Sequence, residues 1–410
     1  MQTTPKSLRL QMALMGRTNV GKSTFLNRLT GQDVAITSPQ PGTTTDVVEK
    51  PMELAPFGPV LFLDTAGIDD RTVLARERIG RTHRVFDRAD VVILLCAEDT
   101  FEIPENEIMQ MAAARNLPVI IVVTQADRHP PSQEFIAQLR ARNVPLMISA
   151  GTGPADREML LCELRASLWK VCPEKSLPPP PLLGDLLPAG GLVVMVVPID
   201  LQAPKGRLIL PQVQALRDTL DNDAAALVVK ERELARCLDR LRTPPDLVVC
   251  DSQVVLKMVA DTPADVPCTT FSILFARMKG DLQQLAAGVA VIDGLRDGDR
   301  ILIAESCTHH PLEDDIGRVK IPRWLRHYTG AALSVEHYAG RDFPDDLQRY
   351  RLVIQCGGCM QSRREVLSRL QRARAAGVPM TNYGLCIAKT QGVLRRVLSP
   401  FPSALAEIDG

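Results

Sequence analysis

A phosphate-binding loop near the start of the chain restricts its possible folds more than any other feature. The segment GRTNVGKS occupies residues 16–23 and matches the pattern G-x-x-x-x-G-K-[ST]. It directly follows an apolar stretch that predicts a strand, LRLQMALM, and residues 22–29 after it predict a helix. In this arrangement the glycines let backbone N–H groups surround a phosphate at the positive end of the helix dipole. The segment therefore predicts a nucleotide-binding domain built on a parallel sheet.

Two companion motifs follow the loop in the order that a nucleoside triphosphatase requires. PGTTTD lies at residues 41–46, and DTAG at residues 64–67 follows the apolar stretch VLFLD. Thr44 would bind Mg²⁺ from a switch loop, Asp64 would hold Mg²⁺ through water, and the Gly67 N–H would meet the γ-phosphate. Three motifs in this order indicate a nucleotide site rather than ordinary turns.

The loop itself supplies the remaining groups of the predicted site. Lys22 would reach the β- and γ-phosphates, and the Ser23 hydroxyl would be a second Mg²⁺ ligand. The predicted catalytic residues are Lys22, Thr44, Asp64 and Gly67. The residues predicted to bind nucleotide are Gly16, Arg17, Thr18, Asn19, Val20, Gly21, Lys22, Ser23, Asp64, Thr65, Ala66, Gly67, Thr124, Asp127, Ser149 and Ala150.

Residues after two later strands predict that the base is guanine. TQAD at residues 124–127 follows the apolar stretch LPVIIVV, and Ser149-Ala150 follows VPLMI. The carboxylate of Asp127 can accept hydrogen bonds from guanine N1–H and N2–H₂, a pair of donors that adenine lacks. GTP is therefore the predicted nucleotide.

The motif set resembles the translation-factor-like small GTPases of the tRNA-modification and ribosome-assembly type, whose marks are GxxNxGKS, PGTT and DTAG. Those GTPases recognise guanine with Asn-Lys-x-Asp, whereas this chain has Thr124-Gln125 in the first two positions. The resemblance implies that Asn19 helps to bind K⁺, which would supply positive charge beside the phosphates. Ile68 stands where many signalling GTPases have a water-orienting glutamine, so we expect slow intrinsic hydrolysis.

Composition limits the classes of partner. The chain has 410 residues, 45% of them hydrophobic, and 48 basic residues balance 48 acidic ones. Zero net charge argues against a protein whose main task is binding nucleic acid. The apolar runs are too short to span a membrane, and the N-terminus carries no pattern of a signal peptide. We therefore expect a cytoplasmic protein that binds neither membranes nor nucleic acid.

The alternation of apolar strands with amphipathic helices predicts an α/β fold with three domains. A P-loop GTPase domain with a mostly parallel sheet is expected over residues 1–171. Residues 172–191 are rich in proline and predict a linker. Two smaller α/β domains are expected over residues 192–262 and 263–410. A run of arginines from Arg363 to Arg374 predicts the solvated face of a helix.

Three cysteines in the last third of the chain predict a metal centre. Cys307 follows the predicted strand RILIAES, and the pair Cys356 and Cys359 in CGGC follows RLVIQ. The carboxyl ends of parallel strands meet at one edge of a sheet, so these thiolates are expected to converge. A zinc ion completed by His309 or His310, or a 4Fe–4S cluster with an exchangeable fourth position, would fit.

The whole chain resembles the FeFe-hydrogenase maturation GTPases. This resemblance rests on a P-loop domain, a middle α/β domain, the cysteines in CTH and CGGC, and the block TNYGLCIAKTQGVLRRVLSPF. It implies that the middle domain dimerises and that Cys307, Cys356 and Cys359 hold a 4Fe–4S cluster. His309, water or a weak oxygen ligand would then complete the fourth iron. Gln355 departs from the family, which often has histidine there.

The resemblance also implies a function. The protein would be a homodimeric scaffold that hydrolyses GTP, receives a di-iron precursor and delivers it to the FeFe-hydrogenase apoprotein, with the two radical-SAM maturases as further partners. The alternative is an RNA- or ribosome-associated GTPase with a structural zinc or iron–sulfur site. An iron–sulfur redox enzyme is disfavoured because no nicotinamide or flavin fingerprint lies beside the cysteines.

Overall fold

The computed structural model describes residues 4–31, 48–64, 84–150, 154–172, 181–199, 208–306, 315–340 and 342–409. By its internal contacts the chain divides into two compact units, Met1–Pro179 and Pro180–Gly410. Each unit is α/β, as the sequence predicts.

The first unit is built on a mostly parallel sheet. Its described strands are β1 (Leu10–Met15), β2 (Val48–Leu54), β3 (Gly58–Asp64), β4 (Val91–Cys96), β5 (Val119–Val123) and β6 (Leu146–Ile148). In the described residues they form six strands in the order β2-β3-β1-β4-β5-β6, and only the β2–β3 pair is antiparallel. β1, β4 and β5 are buried along their whole length, which is typical of a parallel sheet covered on both faces.

Helices cover both faces of this sheet. They are α1 (Lys22–Thr30), α2 (described over residues 84–88), α3 (Ile103–Ala113), α4 (Gln133–Arg140) and α5 (Pro154–Val171). Two apolar clusters pack between sheet and helices. One contains Phe25 of α1 and Leu164 of α5, and the other contains Ile108 of α3 and Phe135 of α4. β1 therefore leads straight into the P-loop and α1.

The second unit contains two parallel sheets. In its described residues the first has four strands in the order β10-β9-β7-β8, and the second has four in the order β12-β11-β13-β14. The strands are β7 (Leu192–Val196), β8 (Ala225–Val229), β9 (Leu247–Cys250), β10 (Cys268–Thr270), β11 (Arg300–Ala304), β12 (Ser334–Tyr338), β13 (Leu352–Gln355) and β14 (Met380–Asn382). An apolar cluster running from Leu182 to Ala404 packs against both sheets.

The helices of the second unit are short. They are α6 (Leu210–Asp221), α7 (Leu234–Leu238), α8 (Val255–Asp261), α9 (Phe271–Lys279), α10 (Leu282–Val289), α11 (Ile321–Thr329), α12 (Arg363–Ala375), α13 (Tyr383–Thr390), α14 (Leu394–Val397) and α15 (Pro402–Asp409). The described part of the chain contains no helix that is both long and apolar enough to cross a membrane.

The strands that carry the predicted motifs lie where the sequence indicates. The division of residues 192–410 into two domains stays a prediction. β10 follows residue 262 and pairs in parallel with β9, so a boundary between the two sheets would fall after residue 270. The prediction that the arginines from Arg363 to Arg374 form a solvated helix face is wrong for Arg369 of α12, which is only 5% exposed.

Candidate functional site

The P-loop closes around the ammonium group of Lys22. Lys22 begins α1, is 9% exposed, and its Nζ donates to the carbonyl oxygens of Gly16 (3.0 Å) and Arg17 (2.7 Å). Gly16 has a φ of 149°, and a Cβ there would lie 2.6 Å from the carbonyl oxygen of Leu95, so glycine is required. The cation is thus held within the loop, in reach of a bound phosphate.

A Mg²⁺ site can form beside the start of α1. The Ser23 hydroxyl donates to Oδ2 of Asp64 at 3.5 Å, which brings two hard oxygen ligands together. Gly21 is the N-cap of α1 and has no side chain to cap the helix, so the first N–H groups can serve an anion. These donors and ligands suit a nucleotide triphosphate with Mg²⁺.

The loop of residues 124–127, which is predicted to bind guanine, is tied to the P-loop. The two residues that make the contacts, Thr124 and Gln125, replace the Asn and Lys of the Asn-Lys-x-Asp motif. The buried Thr124 hydroxyl contacts the carbonyl oxygens of Val20 and of Cys96, the latter at 3.1 Å. Gln125 Nε2 donates to the carbonyl oxygen of Asn19 at 2.9 Å. Both Gln125 and Asn19 have positive φ values, of 56° and 63°. The substituted residues therefore stabilise the junction of the two loops, a role that the motif comparison did not reveal.

The second guanine loop is held by α1. Arg28 Nη1 donates to Oγ of Ser149 at 2.6 Å, and its Nη2 donates to the carbonyl oxygen of Ala150 at 2.9 Å. The Ser149 N–H also donates to the carbonyl oxygen of Val123 at 2.7 Å. Asp127 is exposed, so its carboxylate is open to a ligand. Arg28 is a contributor that the sequence did not point to.

The Arg17 side chain pairs with two carboxylates at the start of α3. Its Nε donates to Oε1 of the buried Glu105 at 2.7 Å, and its Nη2 donates to Oε2 of Glu102 at 3.0 Å. The hydrogen bond with Glu105 raises the pKa of the Arg17 guanidinium. The side chain thus anchors the loop to α3.

Several predicted site residues lie outside the described part of the chain. They are Thr44, Thr65, Ala66, Gly67, Cys307, His309 and His310. Within the described residues, the structure brings together the P-loop, Asp64, Thr124 and Ser149 around α1 and the ends of β3, β5 and β6.

The second candidate site lies at the carboxyl edge of the β12-β11-β13-β14 sheet. β11 ends at Ala304, which pairs with Gln355 at the end of β13, and Gln355 pairs with Asn382 at the end of β14. Cys356 immediately follows β13. The Cys356 N–H donates to the carbonyl oxygen of Ala304 at 2.9 Å, so the Cys-x-x-Cys loop begins at this edge, as predicted.

Cys356 contacts the residue that precedes Cys307. The Ser306 N–H donates to Cys356 Sγ at 3.1 Å, and Ser306 Oγ lies 2.9 Å from the same sulfur. The start of the Cys-x-x-Cys loop therefore packs against the segment that follows β11.

Cys359 sits beside a buried lysine. Lys279, at the end of α9, is 2% exposed, and its Nζ donates to the carbonyl oxygens of Gly358 (2.9 Å), Cys359 (3.1 Å) and Gln361 (2.7 Å). Burial lowers the pKa of Lys279 to about 8 and raises the pKa of the Cys359 thiol to about 11. Gly358 has a φ of 65°, which explains glycine there.

A second buried cation lies behind Cys356. Arg369 Nη1 donates to Oε1 of Gln355 at 3.1 Å, and its Nη2 donates to the carbonyl oxygen of Gly340 at 2.8 Å. Burial lowers the pKa of Arg369. Gln355 Nε2 lies 3.5 Å from Ser306 Oγ and 4.0 Å from Cys356 Sγ. The position that often carries histidine therefore belongs to a buried hydrogen-bond network.

Among the described residues, no group of three or more His, Cys, Asp or Glu side chains is arranged to hold a metal ion. The predicted set of three cysteines includes Cys307, which lies outside those residues. The two cysteines of the set that the structure describes, Cys356 and Cys359, are partly exposed.

Three protein-family models match the chain in succession. Residues 11–125 match a 50S ribosome-binding GTPase model. Residues 182–280 match the hydrogen maturase F dimerization domain, and residues 283–400 match the hydrogen maturase F tetramerization domain. The chain belongs to the hydrogen maturase F family. Its N-terminal unit carries a GTPase domain, and the two hydrogen maturase F domains support self-association.

Curated relatives match the GTPase part. The chain is 34% identical over 155 residues to the tRNA modification GTPase MnmE of Prochlorococcus marinus (strain NATL2A), covering 37% of this chain and 33% of that protein. It is 37% identical over 158 residues to MnmE of Synechococcus sp. (strain JA-2-3B'a(2-13)), covering 38% and 34%. The chain thus spans about a third of the length of these relatives, whereas the hydrogen maturase F models cover residues 182–280 and 283–400 of this chain.

Solved structures of GTPases give partial overlaps. Era from Aquifex aeolicus bound to GDP·AlF₄⁻ has a TM-score of 0.33 and 20% identity, covering 54% of this chain and 93% of that one. The G domain of the T. maritima FeoB iron transporter has a TM-score of 0.30 and 22% identity, covering 38% and 99%. The fold assignment of this hydrogen maturase F member rests on its sheet order and on the family models.

Proposed function

We propose that the chain is a GTP-hydrolysing scaffold that binds a 4Fe–4S cluster at Cys307, Cys356 and Cys359. It would receive a di-iron precursor as cargo and deliver it to the FeFe-hydrogenase apoprotein, with the two radical-SAM maturases as earlier partners. Membership of the hydrogen maturase F family supports this assignment. The observation that carries it is the pair of buried cations behind the Cys-x-x-Cys loop.

Those cations favour an anionic occupant. Burying an ammonium or guanidinium group costs several kcal/mol unless an opposite charge or good hydrogen bonds compensate it. The named hydrogen-bond acceptors of Lys279 and Arg369 are neutral carbonyl and amide oxygens. The carboxylate of Glu365 acts on both cations through space, and that of Asp342 acts on Arg369. A cluster held by three thiolates carries negative charge, so it would complement both cations.

The donor set suits a cluster with one exchangeable position. Three thiolates leave one position open, and the Gln355 side chain, at the position that often carries histidine, accepts from Arg369 through its amide oxygen. When bound, the cluster would supply an iron with an exchangeable ligand. The chain's own residues would hold the sulfurs: Ser306 beside Cys356, and Lys279 behind the Cys359 loop. Water, a weak oxygen ligand or His309 would complete the fourth iron.

The GTPase part would work by charge placement. Lys22 would neutralise the β- and γ-phosphates, Ser23, Thr44 and Asp64 would hold Mg²⁺, and Gly67 would sense the γ-phosphate. By the resemblance to tRNA-modification GTPases, K⁺ beside Asn19 would add positive charge in the transition state. Equal hydrolysis rates in KCl and NaCl would remove K⁺ from the proposal.

The proposal can be tested by hydrogenase activation. Anaerobically prepared chain is mixed with apo-hydrogenase and the maturation partners, and hydrogen evolution is measured. Cys359→Ser should abolish activation, while Cys162→Ser, an exposed cysteine on α5, should leave it unchanged. Full activation by the Cys359→Ser variant would refute a role for the cluster.

The RNA- or ribosome-associated alternative draws its support from the GTPase domain alone. The GTPase model covers residues 11–125, and the MnmE relative matches 155 residues, or 37% of this chain. The hydrogen maturase F models account for residues 182–400, which makes the maturation scaffold the better assignment.

A further inference from the structure

The three N–H donors of Lys279 all have acceptors in one loop, residues 358–361. An ammonium group has three N–H donors, and the three acceptors of Lys279 are the carbonyl oxygens of Gly358, Cys359 and Gln361. The side chain reaches the loop from the end of α9 and passes the ring of Phe275, 5.3 Å from its centroid. Three carbonyl oxygens that converge on one ammonium group fix the conformation of the loop that carries them.

Two of these carbonyls belong to the peptide units that flank Cys359. In a planar trans peptide the C=O and N–H bonds point in opposite directions. The carbonyls of Gly358 and Cys359 share their peptide units with the N–H groups of Cys359 and Met360, so the two peptide units lie on either side of the Cys359 side chain. Holding the two carbonyls therefore fixes the backbone that carries the Cys359 sulfur.

The third carbonyl continues the same arrangement into the next helix. The Gln361 carbonyl shares its peptide unit with the Ser362 N–H, which donates to Oε2 of Glu365 at 2.7 Å. Ser362 and Glu365 form the capping box that begins α12. One ammonium group thus fixes the loop from Gly358 to the first turn of α12.

We infer that Lys279 is a positioning residue that fixes the Gly358–Cys359 and Cys359–Met360 peptide units, and so sets the place of the Cys359 sulfur and of the loop N–H groups around whatever this sulfur ligates. The inference rests on the proposed cluster for its functional consequence. N–H···S hydrogen bonds withdraw electron density from a ligating thiolate, and they raise the reduction potential of a cluster.

The test uses the full-length chain and three variants. Lys279→Met removes the charge and the donors but keeps an apolar stem in the buried channel. Lys279→Arg keeps the charge, yet its planar fork cannot serve three carbonyls that converge on one nitrogen. The control is Lys257→Met on α8, where an exposed lysine pairs with Asp261 at 2.7 Å.

The first measurement is amide hydrogen exchange in iron-free protein, followed by mass spectrometry of peptides that cover residues 357–362. Both Lys279 variants should exchange about tenfold faster in this segment, as expected when charge-assisted hydrogen bonds are lost. β11 and the Lys257→Met control should keep wild-type exchange. Wild-type exchange of the loop in Lys279→Met would overturn the inference.

The second measurement is the reduction midpoint potential after anaerobic reconstitution. Both Lys279→Met and Lys279→Arg should have more negative potentials than the wild type, because a loop released by Lys279 would take its backbone N–H donors away from the cluster sulfurs. A wild-type potential in Lys279→Arg would show that charge alone matters and would overturn the positioning role. A wild type that retains no iron would refute the proposed cluster, and the exchange measurement would still decide the role of Lys279.

Discussion

At the scale of single residues, both candidate sites are organised by side chains that grip backbone carbonyls. Lys22 holds the P-loop, Thr124 and Gln125 join the guanine loop to it, and Lys279 holds the Cys-x-x-Cys loop. A carbonyl held in this way fixes its peptide plane and therefore the direction of the N–H on the other side. Such residues set the geometry of donors that a ligand meets.

Removal of the Lys22 ammonium group should stop GTP hydrolysis. Lys22→Ala removes charge aimed at the developing phosphate oxyanion, and losses of about 100-fold or more are typical for such groups. Phosphate release with saturating GTP and Mg²⁺ measures this. Lys170→Ala, an exposed lysine on α5, is the matched control. Retention of half the wild-type rate by Lys22→Ala would contradict the assigned role.

Asp127 should determine the preference for guanine. Asp127→Asn replaces a carboxylate that accepts two donors by an amide that accepts fewer, so GTP affinity should fall about tenfold to hundredfold. Competition of ATP against labelled GTP measures the ratio of the two affinities. This ratio should be smaller in Asp127→Asn than in the wild type. Glu134→Gln, an exposed change on α4, should leave it as in the wild type. Unchanged competition in Asp127→Asn would place base recognition elsewhere.

At the scale of elements, strands with an apolar run and their loops could be predicted, and the edge strand β2 could not. β1, β4, β5 and β13 are continuous apolar runs, so the sequence places them and the motifs after them. β2 reads VEKPMEL and is largely exposed, and its antiparallel pairing with β3 leaves no apolar pattern to find.

The supporting side chains escaped prediction for a different reason. Arg28 contacts Ser149 and Ala150 more than 120 positions away, and Lys279 contacts a loop about 80 positions away. Arg369 lies in an arginine-rich helix, but its guanidinium group donates to the side chain of Gln355, the residue before Cys356. Spacing along one segment carries no information about such contacts between distant segments.

The packing of α10 on β14 gives a prediction about stability. A Cβ on Gly288 would lie 2.1 Å from the carbonyl oxygen of Met380, so Gly288→Ala must push the helix from the strand that ends at Asn382. Overpacking of this kind costs about 1–3 kcal/mol. The melting temperature of the second unit should fall by several degrees. Gly294→Ala, which meets no atom within 4 Å, is the control and should melt like the wild type. Equal melting of both variants would contradict this packing.

At the scale of the whole molecule, the two proposed chemistries lie in different units. The P-loop site belongs to Met1–Pro179, and the cysteine site belongs to Pro180–Gly410. The hydrogen maturase F dimerization and tetramerization domains both lie in the second unit, so self-association and cluster binding would share it. GTP turnover should therefore depend little on the cysteines.

Iron content with parallel GTP turnover is the measurement that tests the central claim most directly. Anaerobically reconstituted wild-type chain should hold about four iron atoms and give the electron paramagnetic resonance signal of a reduced 4Fe–4S cluster. Cys356→Ala should lose most of the iron and the signal, while its GTP hydrolysis stays within about twofold of wild type because the P-loop site is unaltered. Tightly bound zinc without iron in the wild type, or full iron retention in Cys356→Ala, would contradict the account.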